Sequence, residues 1–337
     1  MSEATARMRR VIGSWDVIVL LAVVTIAVVG SLTIDGVSNP RFWRFVTLEA
    51  IPIVLIALPM TLIVITGEID LSVASVLGLT CTVFGFLWES GVTSLPVLIA
   101  VSLLLGGALG AVNGLFITGF GLPSLAVTIG TLALYRGLAY VVLGDRAVAS
   151  YPATWTGNAI KALPGTTIPW MILVAAALAV VFGAVLHATP VGRGLYAMGN
   201  NAEAARFTGI GVRATKFWLF VISGAMAALA GVFWTLRFAS ARADNGTGLE
   251  LAVVAAVLLG GVSIFGGRGT LLGVLGALAL LTVLRNALQL ANVPANTLTI
   301  ITGSLLIASV VGPNVAGMLR ERLRRRRSTA PTASPST

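Results

Sequence analysis

The sequence predicts an all-α polytopic membrane protein with about ten transmembrane helices. Three observations point to this class. First, 57% of the 337 residues are hydrophobic and only 10% are charged, whereas soluble domains carry about a quarter charged residues. Second, long uncharged stretches follow one another without the period-2 alternation of a β-barrel. Third, the positive residues are concentrated in three clusters.

The uncharged stretches give the number of crossings, because a helix needs roughly 20 apolar residues to span the hydrocarbon core. Stretch 90–135 is long enough for two crossings with a turn at Gly119–Gly121, and the last stretch holds the end of one crossing and all of another. The sum is about ten crossings. In chain order the stretches are 17–34, 50–67, 71–88, 90–135, 162–192, 217–236, 251–267, 269–284 and 287–319.

The basic clusters predict the orientation, because positive residues favour cytoplasmic loops. Even numbers of predicted crossings separate the clusters, so all three lie on one side and both chain ends are predicted to be cytoplasmic (N-in, C-in). We expect a cytoplasmic N-terminus 1–14, a membrane domain 15–313 with a cytoplasmic loop 189–216, and a basic and then disordered tail 314–337. The clusters are Arg7, Arg9 and Arg10; Arg193, Arg206, Arg213 and Lys216; and Arg320, Arg322 and Arg324 to Arg327.

The residue types argue against catalysis by this chain. The phosphate-binding motif GxxxxGK[ST] does not occur and the lysines are Lys161 and Lys216, so we predict no ATP site of its own. His187 has no companion His, Cys or carboxylate cluster, which argues against a metal site or a Ser–His enzyme. No catalytic residue, metal or cofactor is predicted. We expect the basic residues to anchor loops at membrane lipids and not to bind nucleic acid.

The cytoplasmic loop 189–216 contains a short predicted helix. Asn200 and Glu203 have the chemistry of an N-cap and a capping-box acid, Ala202–Thr208 is rich in helix formers, and Gly209 supplies a left-handed stop. A helix of about two turns is marginal by itself in water. It therefore packs either on lipid headgroups or in a groove of a cytoplasmic partner.

Polar residues inside the predicted membrane domain need a reason, because a charge there costs roughly 3 kcal/mol or more. Glu68 and Asp70 follow Gly67 where the second predicted crossing meets the third. Asp70 is predicted either to cap the third helix or, with Glu68, to line a pathway or gate. Asn113 and Thr131 are further pathway candidates, although hydrogen bonds between helices explain them equally well.

A second glycine-rich interruption, Gly260–Gly269, lies in the C-terminal half. Paired interruptions in two halves of a membrane protein are typical of an inverted repeat. We therefore predict an inverted repeat in which Gly260–Gly269 is the counterpart of the interruption at Gly67.

Four segments, in order along the chain, resemble signature segments of permease subunits from bacterial ABC importers in the ribose/xylose/rhamnose/autoinducer-2 branch. Glu68 departs from the usual glycine of that branch's GGIDLS. The run Leu143–Arg146 with Tyr151-Pro152 is nearest to rhamnose-type and autoinducer-2-type permeases. The segments are Thr66–Ser72 (TGEIDLS), Gly121–Gly137 (with GLPS and TIGTLALYRG), the loop Thr189–Phe217, and Glu250–Gly269 (with GGVSIFGGRG).

This resemblance implies a division of labour. Two permease chains, identical or sister, would form the pathway in the bacterial inner membrane, two cytoplasmic ATPases would dock on the loop helix, and an extracytoplasmic solute-binding protein would deliver a sugar-like solute. The long outer loop from Gly144 to Thr167 would dock the binding protein through Asp145, Arg146 and Lys161. The ATPase-coupling residues would be Asn200, Glu203, Ala204, Ala205, Arg206 and Gly209.

Three other functions stay open. A branched-chain amino-acid ABC permease would share the topology but carry a solute with charged ends. An ion-coupled secondary transporter would use Glu68 or Asp70 to bind a proton or sodium ion and would need no ATPase. An intramembrane enzyme or scaffold is disfavoured by the lack of paired catalytic groups.

Overall fold

A computed structural model of the chain describes residues 15–294 together with 296–298, 300, 301, 303, 304 and 307. The described chain is almost entirely helical, with isolated β-bridges at Val148–Ala241 and Ala162–Pro169. The helices are α1 Trp15–Thr33, α2 Pro40–Ile65, α3 Val73–Glu89, α4 Leu95–Thr118, α5 Ser124–Leu143, α6 Ala153–Ile160, α7 Met171–Ala188, α8 Pro190–Asn200, α9 Ala202–Phe207, α10 Val212–Phe238, α11 Leu249–Leu259 and α12 Leu271–Leu290.

Seven of these described helices are long and apolar enough to cross a membrane: α1, α2, α4, α5, α7, α10 and α12. Stretch 90–135 forms two helices, as predicted, with the turn between Thr118 and Ser124. The chain is therefore a multi-pass membrane protein. The count of ten and the N-in, C-in orientation stay predictions, because the last predicted crossing lies largely outside the described residues, as do segments 1–14 and 314–337.

The core of the bundle is built on α2 and α10. In their most apolar windows, 83% of α2 residues and 72% of α10 residues are buried, against 11% for α1. Helix α4 packs most closely on α10, because Gly106 and Gly110 lie against the backbone of Gly224 and Phe220. Small residues at such contacts let membrane helices approach to backbone distance. The remaining long helices keep large apolar faces exposed, as lipid contact requires.

The connections segregate to two ends of the bundle. The α8–α9 end contains the connections 66–72, 119–123, 189–211 and 260–270; for example, the Gly267 amide donates to the Ile65 carbonyl at 2.8 Å. The α6 end contains 34–39, 90–94, 144–170 and 239–248; there Arg44 donates to the Ile160 carbonyl at 2.8 Å.

The predicted crossing 251–267 is not a full helix. Helix α11 has 11 residues, which at 1.5 Å each is about 16 Å, too short to cross. It starts inside the bundle because the connection 239–248 enters from the α6 end and reaches the first turns of α3, where a side chain on Gly246 would contact Leu77. Arg136 of α5 holds this connection by donating to the carbonyls of Ala243, Asn245 and Ala74.

The pairing of interruptions was predicted wrongly. Segments 66–72 and 260–270 lie at the same end and contact each other, whereas an inverted repeat exchanges the two ends. Connection 66–72 follows the central helix α2, and connection 239–248 follows the central helix α10 at the opposite end of the bundle. Each of these connections leads into a helix that begins inside the bundle. The repeat itself stays a prediction, with 239–248 as the better counterpart.

Candidate coupling face and membrane interruption

A buried carboxylate organises the interruption between α2 and α3. Asp70 is 1% exposed. Its Oδ1 accepts from the Ser72 amide at 3.1 Å and from the Ser72 hydroxyl at 2.6 Å, and its Oδ2 accepts from the Ser223 hydroxyl of α10 at 2.8 Å. The prediction that Asp70 is the N-cap is wrong by two positions, since Ser72 precedes the first helical residue. Asp70 instead fixes Ser72 from a turn before the helix.

The Asp70 network continues into α4 and α5. The Asn113 amide donates to the Ser72 hydroxyl at 2.8 Å, and the Tyr135 hydroxyl donates to the Leu109 carbonyl at 3.0 Å beside Asn113. Thr131 is buried on the same face of α5, with its hydroxyl 3.4 Å from the Thr128 carbonyl. The structure therefore brings Asp70 and Asn113 together through Ser72, whereas Thr131 makes no bond to either.

Glu68 forms an ion pair with Lys216, at the start of α10. The side chains are 18% and 14% exposed, so the pair is largely shielded. Lys216 directly follows the α8–α9 loop, and the pair therefore ties that loop to the interruption. From the sequence, Lys216 was assigned only to a basic cluster that predicts orientation. Its contact with Glu68 was not predicted, because 148 residues separate the two and no local pattern links them.

The 189–211 connection contains two helices, of which sequence reasoning found one. Helix α8, residues Pro190–Asn200, was missed, although Thr189 before Pro190 is an N-cap signal. In α9 the N-cap is Asn201 and not Asn200: its Oδ1 accepts from the Ala204 amide at 2.9 Å. The predicted capping box with Glu203 does not form, because the Asn201 amide donates to the Ala197 carbonyl at 3.0 Å instead.

Helix α9 ends one residue earlier than predicted, at Phe207, and Gly209 follows in the left-handed conformation that was predicted. Of the predicted coupling residues, Ala205 is buried at 4% exposure and packs inward. The others lie on the surface: Asn200, Glu203, Ala204, Arg206 and Gly209. Phe207, which was not among the predicted coupling residues, is 79% exposed and is the largest apolar group that α9 presents.

Helix α8 touches both interruptions through backbone. A side chain on Gly199 would collide with the Ile65 carbonyl at the end of α2 and with the Gly267 backbone. Gly266 lies against Gly67 and Gly199 in the same way. We call Gly67, Gly199, Gly266 and Gly267 the glycine joint.

Tyr196 fastens α8 next to the glycine joint, because its hydroxyl donates to the Gly269 carbonyl at 2.8 Å. Burial raises the pKa of this phenol above its ordinary value of 10.0. Tyr196 therefore remains a neutral donor throughout the physiological range. The contact complements the backbone packing of Gly199 with a directional hydrogen bond.

At the α6 end, the predicted binding-protein contacts are all exposed. Arg146 pairs with Glu89 at 2.8 Å, with the side chains 56% and 39% exposed, while Asp145 and Lys161 lie on the surface on either side of α6. Helix α6 is held by Trp155, whose ring packs on Trp88 with centroids 5.1 Å apart. Asp145, Arg146 and Lys161 thus share one end without contacting each other through an ion pair in the described chain.

Within the part of the chain that the structure describes, no three His, Cys, Asp or Glu residues are grouped for a metal ion. His187 accepts weakly from the Leu271 amide at 3.4 Å. Cys81 is buried, with its sulfur 3.3 Å from the Gly231 carbonyl. These two side chains thus take part in packing between helices.

Comparison with known proteins identifies the family of the chain and proteins of similar sequence. Residues 42–310 match the family described as branched-chain amino acid transport system, permease component. The autoinducer 2 import system permease protein LsrD of Yersinia enterocolitica is 32% identical over 308 residues, covering 87% of this chain and 92% of the relative. LsrD of Salmonella paratyphi A is 32% identical over 292 residues, covering 83% and 87%. No solved structure matches significantly.

Proposed function

Because the chain belongs to the permease family of branched-chain amino acid transport systems, we propose that it is the translocation subunit of an ATP-driven importer for a sugar-like solute. The family membership makes it a permease component of an import system in the bacterial inner membrane. The finer assignment, that transport is ATP-driven and that the solute belongs to the sugar and autoinducer-2 class, is supported by the LsrD relatives.

The observation that carries the proposal is the connection of α9 to the membrane interior. Helix α9 has six residues and exposes Phe207 and Arg206, and so short a helix gains stability from a partner. Helix α8, directly before it, contacts both interruptions at the glycine joint. A partner that moves α9 would therefore move the ends of α2 and of the 260–270 turn.

The partners follow from this arrangement. Cytoplasmic ATPases would dock at the α8–α9 end, and a solute-binding protein would dock at the α6 end near Asp145, Arg146 and Lys161. A second permease chain, identical or sister, would complete the pathway. The α8–α9 end is cytoplasmic in this proposal, consistent with Arg193, Arg206 and Arg213 at that end.

The carboxylates weigh against an ion-coupled secondary transporter. Glu68 is paired with Lys216, and Asp70 accepts three hydrogen bonds. A coupling ion would have to displace these groups. The amino-acid alternative retains one observation in its favour, which is the description of the matched family.

Substitutions on α9 test the docking. Ala204→Asp and Phe207→Ala change exposed groups on α9 and leave the buried Ala205 intact. We expect each to lower co-purification of the ATPase about tenfold, which corresponds to about 1.4 kcal/mol. Phe207→Ala removes the apolar anchor, and Ala204→Asp places an unpaired charge in the interface. Phe120→Ala is the control, because Phe120 is 68% exposed at the same end but lies in another connection. Unchanged co-purification for both α9 variants would rule out docking there.

Uptake into proteoliposomes tests the solute class. The assembled importer should accumulate D-ribose, L-rhamnose or autoinducer-2 only with ATP hydrolysis. Preferential uptake of leucine would favour the amino-acid alternative. Uptake by this chain alone, driven by an ion gradient, would overturn the proposal.

A further inference from the structure

A polar cleft at the α6 end enters the membrane domain between α2 and α12. Two adjoining hollows share Asn286. The outer hollow is lined by Asn39 and Gln289 among others, and the inner one by Glu49, Thr282 and Arg285. With 1.5 Å per helical residue, Glu49 lies about 14 Å from the start of α2 and Thr282 about 12 Å from the end of α12. The cleft thus extends between two and three turns along both helices from the α6 end.

The inner part of the cleft holds polar groups without partners. Thr282 and Asn286 are each only 5% exposed. The Thr282 hydroxyl makes no hydrogen bond in the described chain, unlike Thr61, whose hydroxyl donates to its own helix at 2.7 Å. The Asn286 amide donates to the Thr282 carbonyl at 2.8 Å, and its Oδ1 is left without a donor among the described residues. Both atoms open onto the hollow that Thr282 and Asn286 line, so among the described residues they are available to bind a ligand or water.

Glu49 and Arg285 line the inner hollow and Arg41 lines the outer one, and Glu49 also interacts electrostatically with Arg237 of α10. Neither Glu49 nor Arg285 forms an ion pair within the described residues. A guanidinium, a carboxylate, amides and a hydroxyl together offer both donors and acceptors. Phe42 and Phe45 line the outer hollow and add aromatic faces, and small-molecule sites combine such apolar walls with a few convergent polar groups.

We propose that this cleft is an entry site for an uncharged polyhydroxylated solute. The outer hollow, about 450 Å³, holds the body of the solute, and one of its hydroxyl groups reaches Thr282, Asn286 and Glu49 in the inner hollow, which has about 40 Å³. A polyol matches this mixture of donors and acceptors, because the Glu49 carboxylate accepts hydrogen bonds and the Arg285 and Arg41 guanidinium groups donate them. The inference rests on the proposed function, because it takes the α6 end as the side from which solute arrives. It adds the binding residues, which lie outside the interruption network.

A labelling experiment on the full chain in phosphatidylcholine nanodiscs tests the site without ATP or partners. In Gln289→Cys, a membrane-impermeant maleimide should label the outer hollow, while the unmodified chain gives the background because Cys81 is buried. D-Ribose or L-rhamnose at millimolar concentration should slow the labelling at least about threefold, and leucine should not.

Second substitutions identify the binding groups. In the Gln289→Cys chain, Thr282→Val and Glu49→Gln should each raise the sugar concentration for half-protection about tenfold, which is the loss of one good hydrogen bond. Thr61→Val is the matched control, since it removes a buried hydroxyl from α2 far from the cleft and should leave protection unchanged.

Three results would overturn the inference: no labelling, labelling that neither sugar slows, or protection by phosphatidylglycerol nanodiscs alone, which would mark a lipid headgroup site. Failure of the proposed function would give a different result from failure of this inference. In that case the sugars would still slow the labelling, but the assembled importer would show no ATP-dependent uptake.

Discussion

The two ends of the bundle are held together by different means. At the α8–α9 end, three chain segments meet through backbone at the glycine joint, with Lys216 and Glu68 shielded beside it. At the α6 end, the connections meet through exposed side chains, such as the Arg146–Glu89 pair and the Trp88–Trp155 contact. Segments in backbone contact cannot shift independently of each other, whereas long exposed side chains can change rotamer when their neighbours move. We therefore expect the α8–α9 end to transmit displacement and the α6 end to tolerate change.

The largest expected effect is at the carboxylate next to the glycine joint. Asp70→Ala would leave three donors in the bundle interior without their acceptor, and each unsatisfied buried group costs about 1–3 kcal/mol. We expect the free energy of unfolding to fall by more than about 3 kcal/mol, measured by denaturant titration in detergent. Asp145→Ala, an exposed carboxylate at the α6 end, should change it by less than about 0.5 kcal/mol. Equal effects would remove the contrast between the ends.

The glycine joint itself gives the next effect. The Cβ of Gly199→Ala has no room beside the Ile65 carbonyl and Gly267, and overpacking costs about 1–3 kcal/mol. The thermal unfolding midpoint should drop, and if the chain is assembled with the ATPases that we propose, ATP hydrolysis should lose its dependence on solute. Gly194→Ala, in the same helix with its nearest neighbour atom 3.8 Å away, should be neutral. If Gly199→Ala is as stable as Gly194→Ala, the glycine joint can accommodate an added Cβ and the expected close packing is wrong.

One ion pair at each end sharpens the comparison. Lys216→Met leaves Glu68 largely shielded and unpaired, which we expect to cost about 1–2 kcal/mol of unfolding free energy. This is less than the roughly 3–5 kcal/mol for a fully buried pair, because the two side chains are 14% and 18% exposed. Arg146→Met breaks an exposed pair and should cost less than about 0.5 kcal/mol. Thermal unfolding of both variants at low and high salt measures the difference, and only the Arg146 effect should vanish in salt.

The smallest effect concerns pH at the α6 end. The hydrogen bond from Arg242 lowers the pKa of Asp244 below its ordinary value of 3.8. A carboxylate with a depressed pKa stabilises the fold above its unfolded pKa and loses that contribution as pH falls through the folded value. Hydrogen exchange in the 239–248 connection should be slower in the wild type than in Asp244→Asn near pH 6, and the difference should shrink below about pH 4. A difference that persists at pH 2 would contradict this assignment.

Local signals predicted most of the fold. Nine of the described helices fall mostly within the uncharged stretches, and Gly209 was predicted correctly as a left-handed stop. The errors come from contacts distant in sequence. The short α11 looks like a full crossing because 251–267 is free of charge. Only the entry of 239–248 into the bundle, mostly as turns, reveals that the helix starts part of the way across.

The candidate sites divide in the same way. Glu68, Asp70 and Asn113 were found because charges and amides are costly in a membrane, and that cost is visible in the sequence. Ser223, Lys216 and Tyr135 were not found as their partners, because hydroxyls and loop lysines are ordinary at their positions. The Asn200 N-cap failed by one residue, since two adjacent asparagines offer the same chemistry and only the backbone angles choose between them.

The sequence alone determined that this chain lies in a membrane, where most of its long helices fall and which loop carries α9, because hydrophobicity and capping act over one or a few turns. Only the tertiary structure decided that α8 sits on two interruptions, that 260–270 is not the inverted counterpart of 66–72, and that Thr282 and Asn286 face a cleft. These features depend on backbone approach between segments tens to hundreds of residues apart, and no local pattern records such an approach.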